Sequence, residues 1–201
     1  GLDHVSSPII GSVSLFTGQT GSIATRAYAT SADGVIWRLD MSSPRPAEWT
    51  FRPFHDIYWH EGAEAGNPSV EPPIVSIDQQ NRPVIILATG NPENLEAGGT
   101  NYVVSLTEEL TATPRVASAV LNWEVRLRDN EMVTGPLELF DSRVYFGTFF
   151  SNVTPGNACS FGSSRLWGVD YIDGSGVPPA SYTAGPSGRF PTYGWEAAGA
   201  V

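Results

Sequence analysis

Short apolar runs, separated by segments rich in Gly, Pro, Ser and Asp, recur along the whole chain. The clearest run places Leu121, Trp123, Val125 and Leu127 in alternation with polar side chains. Alternation with a period of two predicts a strand that is buried on one face only. Val84–Leu87 is apolar at every position, which is typical of a strand buried on both faces. We therefore expect an all-β protein that contains both kinds of strand.

Helical periodicity is weak throughout the chain. The best candidate is residues 108–120, which contain Thr111, Thr113 and Pro114 and lack a sustained apolar stripe of helical period. Proline removes a backbone donor and the threonines are stiff, so both oppose a helix here. We expect this segment to form a loop or a single turn.

One pattern occurs three times: a proline-containing turn, an apolar or aromatic strand, and a strand that ends in an apolar-x-apolar sequence. The prolines that open the copies, Pro8, Pro73 and Pro136, are 65 and 63 residues apart. Trp37 and Trp167 are 130 residues apart, which is two such periods. Self-similarity at a fixed period predicts a repeat architecture. The copies cover about residues 6–56, 71–128 and 134–172.

A fourth strand follows the pattern in the first two copies, at residues 49–54 and 121–127. Four antiparallel strands per repeat are the composition of one β-propeller blade. Blades must stack to bury their apolar faces, and propellers typically close with at least four of them. We expect a β-propeller-type fold in which residues 1–172 form about three blades of a larger propeller. Residues 173–201 are expected to form a Gly/Pro/Ala-rich extension, or the start of a further blade near Tyr193–Trp195.

Charge and composition argue against several classes of partner. Acidic residues outnumber basic ones by 21 to 11, and no Lys/Arg cluster is interleaved with aromatic residues. Nucleic acids and anionic lipids are therefore poor candidates. No apolar run reaches the length of about 18 residues that a membrane-spanning helix needs. The lack of lysine and the many Ser, Thr, Gly and Asn residues resemble exported bacterial surface proteins, and the start at Gly1 favours a processed or excised segment.

The densest polar and aromatic cluster is residues 55–64, which contain His55, His60 and three carboxylates. These side chains offer nitrogen and oxygen ligands, but the spacing of the two histidines matches no zinc signature. The alternative is an ordinary loop in which Tyr58 and Trp59 are packed. Whether a metal binds here stays open from the sequence.

Two Asp-Gly segments, Ser31–Gly34 and Asp173–Gly176, resemble fragments of a calcium loop. Neither has the alternating carboxylates or the closing Glu of such a loop, so we interpret both as turns, and the first as a hairpin turn. No nucleophile elbow and no glycine-rich nucleotide motif is present, so we expect no catalytic residue and no cofactor. Cys159 is the single cysteine and is expected to be a buried thiol, or to pair with a residue outside this segment.

The blade copies resemble a known family. Residues 35–40, 145–148 and 159–170 resemble the C-terminal propeller of the PilY-type proteins of type IV pili, and Ala88–Gly90 is similar to that family's strand ending in Gly before a long loop. The resemblance covers residues 6–170, and quinoprotein-like propellers share the pattern. It implies a large exported protein at the pilus tip that promotes pilus assembly, adhesion and surface sensing, often with calcium. The Asp-rich calcium loop of that family is missing here.

We therefore expect a non-catalytic module at the cell surface that binds pilus subunits, other surface proteins, or a host or abiotic surface through its loops. One alternative is a fragment of a quinone-dependent dehydrogenase, which requires calcium ligands and a catalytic Asp at the ring axis. The other is a glycan-binding module that uses Trp37, Trp59 or Tyr58 as a stacking platform. The long loops expected to carry binding are residues 11–25, 54–70, 91–100 and 150–163.

Overall fold

The structure is a computed structural model that describes residues 7–19, 21–59, 66–94, 99–111, 116–150, 162–176 and 194–197. Within these ranges the regular elements are strands and one turn of 3₁₀ helix, Pro46–Glu48, so the all-β prediction is confirmed. None of the described elements is a helix of the length and hydrophobicity needed to cross a membrane. The strands are β1 (Ser14–Phe16), β2 (Arg26–Thr30), β3 (Val35–Asp40), β4 (Thr50–Asp56), β5 (Ile74–Ile77), β6 (Pro83–Ala88), β7 (Tyr102–Leu110), β8 (Ala117–Arg126), β9 (Glu131–Val133), β10 (Glu138–Phe140), β11 (Arg143–Phe150), β12 (Ser163–Asp170) and β13 (Gly194–Ala197).

The strands form three antiparallel sheets, each a meander in chain order. The first sheet is β1-β2-β3-β4, the second is β5-β6-β7-β8, and the third is β10-β11-β12-β13. The short strand β9 pairs with the end of β11 that β10 leaves uncovered. Within each meander, strands that follow one another in the chain pair antiparallel, whether a tight turn or a longer loop joins them.

The turn between β2 and β3 shows how the sequence produces these meanders. Gly34 has a φ of +82° and donates its N–H to Ser31 O, and Ser31 N–H donates to Val35 O. A positive φ strains most residues other than glycine. A Cβ at Gly34 would also lie 2.7 Å from the ring of Tyr58. The prediction of a hairpin turn at Ser31–Gly34 is confirmed.

The second sheet lies between the other two and is buried on both faces. Its strand β6 is buried at every position, as the unbroken apolar run predicted. Odd-numbered side chains of β6 face the first sheet and even-numbered ones face the third. The core between the first and second sheets contains Phe16, Tyr28, Ile36, Ile57, Tyr58, Ile85, Leu87, Tyr102, Val104 and Leu106. The core between the second and third sheets contains Val84, Ile86, Ala88, Val103, Trp123, Val125, Leu127, Val133, Leu137, Val144, Phe146, Trp167 and Val169.

One hydrogen bond recurs in the first and third sheets. Trp37 Nε1 donates to Ser31 Oγ at 3.0 Å, and Trp167 Nε1 donates to Thr148 Oγ1 at 2.9 Å. In both cases a Trp on the third strand of a sheet meets a hydroxyl near the end of the second strand. The two tryptophans therefore occupy equivalent positions, as their spacing indicated.

The two equivalent tryptophans have different surroundings. Trp167 stacks on Phe146 and belongs to the core shared with the second sheet. Trp37 follows Ile36, which faces the second sheet, so Trp37 lies on the opposite face of its strand and stacks on Phe51. The third sheet packs on the second through the face that carries Trp167. The equivalent face of the first sheet, which carries Trp37, is its outer face.

The first copy of the repeat begins at a different residue than the sequence indicated. Pro8 O accepts the N–H of Ala32, and Pro68 O accepts the N–H of Gly90. These two bonds make Pro8 the equivalent of Pro68, whereas the proline spacing had matched it to Pro73. The segment at Pro8 forms an isolated bridge before β1 and is not the first strand of its sheet. The chain has prolines both before and at the start of β5, so spacing alone aligned the wrong pair.

The expectation of a loop or single turn at residues 108–120 is wrong. These residues complete β7 and begin β8, which form the longest hairpin of the chain, although residues 112–115 lie outside the described ranges. A β-bulge interrupts this pairing beside Leu121. Trp123 and Val125 are buried as their alternation predicted, but Leu121 is 44% exposed, because the extra residue of the bulge reverses the alternation before it.

The C-terminal segment completes the third sheet. Gly194–Ala197, expected as part of an extension or the start of a further blade, pairs antiparallel with β12 as β13. Pairing satisfies the backbone groups at an edge that β12 would otherwise leave open. Each of the three meanders therefore has four strands.

Candidate functional site

The interface between the first and second sheets contains a buried carboxylate. Glu108 lies on β7 and its side chain is 0% exposed. Arg38 on β3 donates Nε to one oxygen at 2.6 Å and Nη2 to the other at 3.2 Å. The hydroxyl of Tyr28 on β2 donates at 2.6 Å. Glu108 therefore joins the two sheets through charge-assisted hydrogen bonds, which are the strong class.

A second guanidinium lies beside this carboxylate. Arg26 Nε is 3.1 Å from a Glu108 oxygen, but it makes no hydrogen bond with acceptable geometry. The Arg26 guanidinium also lies 5.4 Å from the centre of the Phe16 ring, within range of a cation–π contact. Arg38 Nη2 donates to Asp40 at 3.1 Å. We call Tyr28, Arg26, Arg38, Asp40 and Glu108 the Glu108 cluster.

The protonation states of Tyr28 and Arg38 favour their hydrogen bonds to Glu108. Burial raises the pKa of Tyr28, and the neighbouring Glu108 carboxylate raises it further. Burial alone would lower the pKa of Arg38, but hydrogen bonding to Glu108 and its charge outweigh this effect and raise the pKa. Both shifts favour the protonated forms, so Tyr28 stays a neutral donor and Arg38 stays a cation near neutral pH. This arrangement of a neutral donor and a cation around the Glu108 carboxylate stabilises the interface between the two sheets.

The raised pKa of Tyr28 predicts a pH dependence of stability. An unfolded tyrosine ionises near pH 10 whereas Tyr28 in the folded protein does not, so its contribution is complete below about pH 10 and is lost as the pH rises further. We expect the free energy of unfolding in urea to fall less steeply above about pH 10 in Tyr28→Phe than in the wild type. Tyr145→Phe, on the outer face of the third sheet, is the matched control. Equal slopes in the wild type and Tyr28→Phe would contradict the prediction.

A second buried carboxylate belongs to the third sheet. Glu131 on β9 is 0% exposed and accepts a hydrogen bond from Thr148 Oγ1. Arg165 Nη1 lies 3.5 Å from its other oxygen. Asn101, at the start of β7, donates Nδ2 to the backbone O of Glu131 at 2.8 Å. The carboxylate of Glu131 is therefore held within the third sheet, and the bond from Asn101 to the Glu131 backbone links that sheet to the second.

The structure divides the cluster predicted at residues 55–64. Tyr58 is buried, and its hydroxyl lies 2.9 Å from both Thr89 Oγ1 and Thr100 O of the second sheet. The prediction that Tyr58 is packed is confirmed. Trp59 is 66% exposed, so the expectation that it is packed is wrong. Residues 57–59 form a turn after β4, in which Ile57 and Tyr58 are buried in the core and Trp59 is left at the surface.

The remaining polar residues of that cluster bear on the metal question. His55 lies near the end of β4, opposite Ile36 of β3. His60, Glu61 and Glu64 lie outside the described residues, as does Cys159. Among the residues that the structure describes, no three His, Cys, Asp or Glu side chains are grouped closely enough to hold a metal ion.

The Asp-Gly segment after β12 is a turn, as predicted. Asp173 accepts the N–H of Ser175 at 2.7 Å, and Gly174 has a φ of +73°. The hydrogen bonds from Ser175 lower the pKa of Asp173. A Cβ at Gly174 would lie 3.1 Å from the Trp123 side chain, so the turn also packs against the second sheet.

Sequence reasoning missed the Glu108 cluster. Its only signal is that Arg38 and Glu108 lie within apolar strands, and Arg38 shares the alternation of Ile36, which faces inward. One sequence cannot show that two such residues, 70 positions apart, meet. Burial of a charge requires a partner, so an inward-facing Arg predicts a carboxylate somewhere without saying which.

These observations define an all-β protein of three stacked antiparallel meanders, with one buried glutamate that joins the first two sheets and a second that is held within the third. The chain matches no family model, no curated protein and no solved structure.

Proposed function

We propose that this chain is a non-catalytic binding module made of consecutive β-propeller blades that belong to a larger propeller. The observation that carries the proposal is the equivalence of Trp37 and Trp167. Trp37 lies on the outer face of the first sheet, whereas Trp167 faces the second sheet. If each sheet packs on the preceding one through its Trp-bearing face, one geometric relation describes every pair of neighbouring sheets. A packing step that is repeated leaves an unmatched face at each end of the stack.

The outer faces support the continuation of the stack. Leu15, paired with Ala27 on the outer face of the first sheet, is 61% exposed. Phe140 is on the outer face of the third sheet and is 75% exposed. Strands with the same position in their sheets also contact each other across the first interface. The first strands, β1 and β5, are in contact, and so are the fourth strands, β4 and β8. Further four-stranded sheets of the same polypeptide would cover both outer faces and give the radial order of blades.

The buried charges support a scaffold role. Glu108 is held by Arg38 of the facing sheet, and Glu131 is held by Arg165 of its own sheet. Binding then belongs to the loops that the sheets present. The resemblance of residues 6–170 to PilY-type proteins supports the proposal of a module at the cell exterior that contributes to pilus assembly or adhesion by contacting pilus subunits or other surface proteins.

The mass of the native polypeptide tests the proposed architecture. We expect its mass, measured on protein from the source cells, to exceed that of these 201 residues by the mass of at least one further blade. The variant Phe140→Lys is expected to make the native polypeptide more sensitive to protease. A native polypeptide of this chain's own mass that sediments as a monomer would contradict the larger propeller.

The function is tested at an exposed loop residue. We expect Trp59→Ala to reduce surface attachment or pilus number, while the free energy of unfolding changes by no more than about 0.5 kcal/mol. The control is Leu121→Ala, which removes a partly exposed apolar side chain from a strand. Attachment and pilus number that stay unchanged would contradict the adhesive role. Oxidation of an alcohol by the purified protein with an artificial electron acceptor would favour the quinoprotein alternative instead.

The exposed Trp59 also favours a second candidate, glycan binding. Of the three stacking platforms considered from the sequence, Trp37 and Tyr58 are buried and only Trp59 has an accessible ring. An exposed aromatic ring packs against the apolar face of a ligand while its polar edge remains hydrated. A glycan array probed with the wild type and Trp59→Ala separates this candidate from protein-mediated adhesion.

A further inference from the structure

A cleft lies between the first and second sheets at the end where β3 finishes and β4 begins. It has a volume of about 560 Å³, within the range of about 300–1,000 Å³ that is usual for small-molecule sites. One wall is polar and the other is apolar. The residues that line it are Arg26, Arg38, Asp40, Ser42, Thr50, Arg52, Pro53, Phe54, Leu110, Val116 and Ala117.

The cleft has an excess of positive charge in a protein whose net charge is −10. Three guanidiniums line it, and two of them, those of Arg26 and Arg38, lie against Glu108. The carboxylates beside them are Glu108 and Asp40, so one positive charge is left over. That charge is carried by Arg52, an exposed residue of β4 whose side chain makes no ion pair or hydrogen bond with another described residue.

The opposite wall of the cleft is apolar. Leu110 and Val116 are 38% and 45% exposed, and they lie on either side of the β7–β8 turn. Phe54 and Pro53 of β4 line the cleft from the first sheet. Most ligand sites combine such apolar walls with a few polar groups that orient the ligand.

The equivalent cleft between the second and third sheets shows the opposite charge. It has a volume of about 410 Å³ and is lined by Asp78, Asp170 and Asp173 together with Arg82. Each of these carboxylates accepts backbone N–H bonds in its own turn. The positive cleft is therefore a property of the first interface and not of the repeat.

We propose that the cleft between the first and second sheets binds a small monocarboxylate with an apolar body. The planar fork of Arg52 suits the two oxygens of a carboxylate, and the apolar wall suits the rest of the ligand. Asp40 and the single excess charge disfavour a dianion such as phosphate. The inference stands on the cleft alone and does not depend on the pilus-associated role.

The test uses phenylacetate, its neutral analogue phenylacetamide and inorganic phosphate as probes, with binding followed by the NMR shifts of the Leu110 and Val116 methyl groups. The wild type is expected to bind phenylacetate about tenfold more tightly than phenylacetamide, since a hydrogen bond to a charged group contributes that much discrimination. Arg52→Gln is expected to abolish this preference. Phosphate at the same concentration is not expected to displace phenylacetate.

Arg126→Gln is the matched control, because Arg126 is an exposed arginine on the fourth strand of the second sheet and lies outside the cleft. It should retain the wild-type preference for phenylacetate. Equal binding of acid and amide by the wild type, unshifted methyl groups, or the same loss in both variants would overturn the proposal. Displacement of phenylacetate by phosphate would overturn the carboxylate class.

Discussion

Replacement of Glu108 by Gln is expected to lower the free energy of unfolding by about 3–5 kcal/mol, because it leaves the guanidiniums of Arg26 and Arg38 with only Asp40 of the cluster as a counter-charge. Glu108 is 0% exposed and the Arg38 side chain is 9% exposed, so water cannot replace the lost carboxylate. A folded domain has a total stability of only about 5–15 kcal/mol, so this loss is a large part of it. Urea unfolding followed by tryptophan fluorescence measures the change.

The neighbouring residue provides the control. Glu109 pairs with Arg82, but both side chains are more than a third exposed, so Glu109→Gln is expected to cost no more than about 1 kcal/mol. The double variant Arg38→Met, Glu108→Leu is expected to lose less stability than the two single changes together, because it removes both charges. Similar losses for Glu108→Gln and Glu109→Gln would show that the cluster does not hold the sheets together.

Replacement of Trp167 by Ala is expected to cost about 3–5 kcal/mol through the cavity that it leaves between the second and third sheets. Trp167 is 1% exposed, stacks on Phe146 and donates a hydrogen bond to Thr148. Its loss also leaves the hydroxyl of Thr148 without one of its partners. Thermal and urea unfolding, with near-ultraviolet circular dichroism for the aromatic packing, measure the effect.

Trp59→Ala is the control for Trp167→Ala, since it removes the same side chain from a position that is 66% exposed. We expect a change within about 0.5 kcal/mol. If Trp167→Ala is no more destabilising than Trp59→Ala, the stacking of the third sheet on the second is wrong. An intermediate loss with unchanged aromatic dichroism would mean that the core closes around the missing ring.

The local pattern of the chain predicted the strands well where burial is simple. The apolar run Val84–Leu87 lies within β6, which is buried on both faces as its composition indicated. The Asp-Gly turns were also predictable, because glycine at a positive φ is a local property. Trp37 and Trp167 were matched from spacing alone, and their shared hydrogen-bond pattern agrees.

Predictions that depended on the exact register were weaker. Alternation alone placed Leu121 in the core, but a bulge in the β7–β8 pair exposes it. The spacing of prolines matched Pro8 with Pro73, whereas backbone hydrogen bonds match it with Pro68. The first error arises because one inserted residue changes the face of the side chains beyond it in a strand, and the second because the chain has prolines both at position 68 and immediately before β5.

The sequence by itself determined that the chain is all-β, that its strands come in repeated groups, and where its turns lie, since these follow from side-chain period and backbone preference over a few residues. Only the tertiary structure decided which faces meet. Glu108 and Arg38 come from different sheets and meet 70 positions apart, and Arg52 gains its importance only from the cleft that two sheets enclose. Charge pairing between sheets depends on their relative position in space, and no local pattern in a single chain encodes that position.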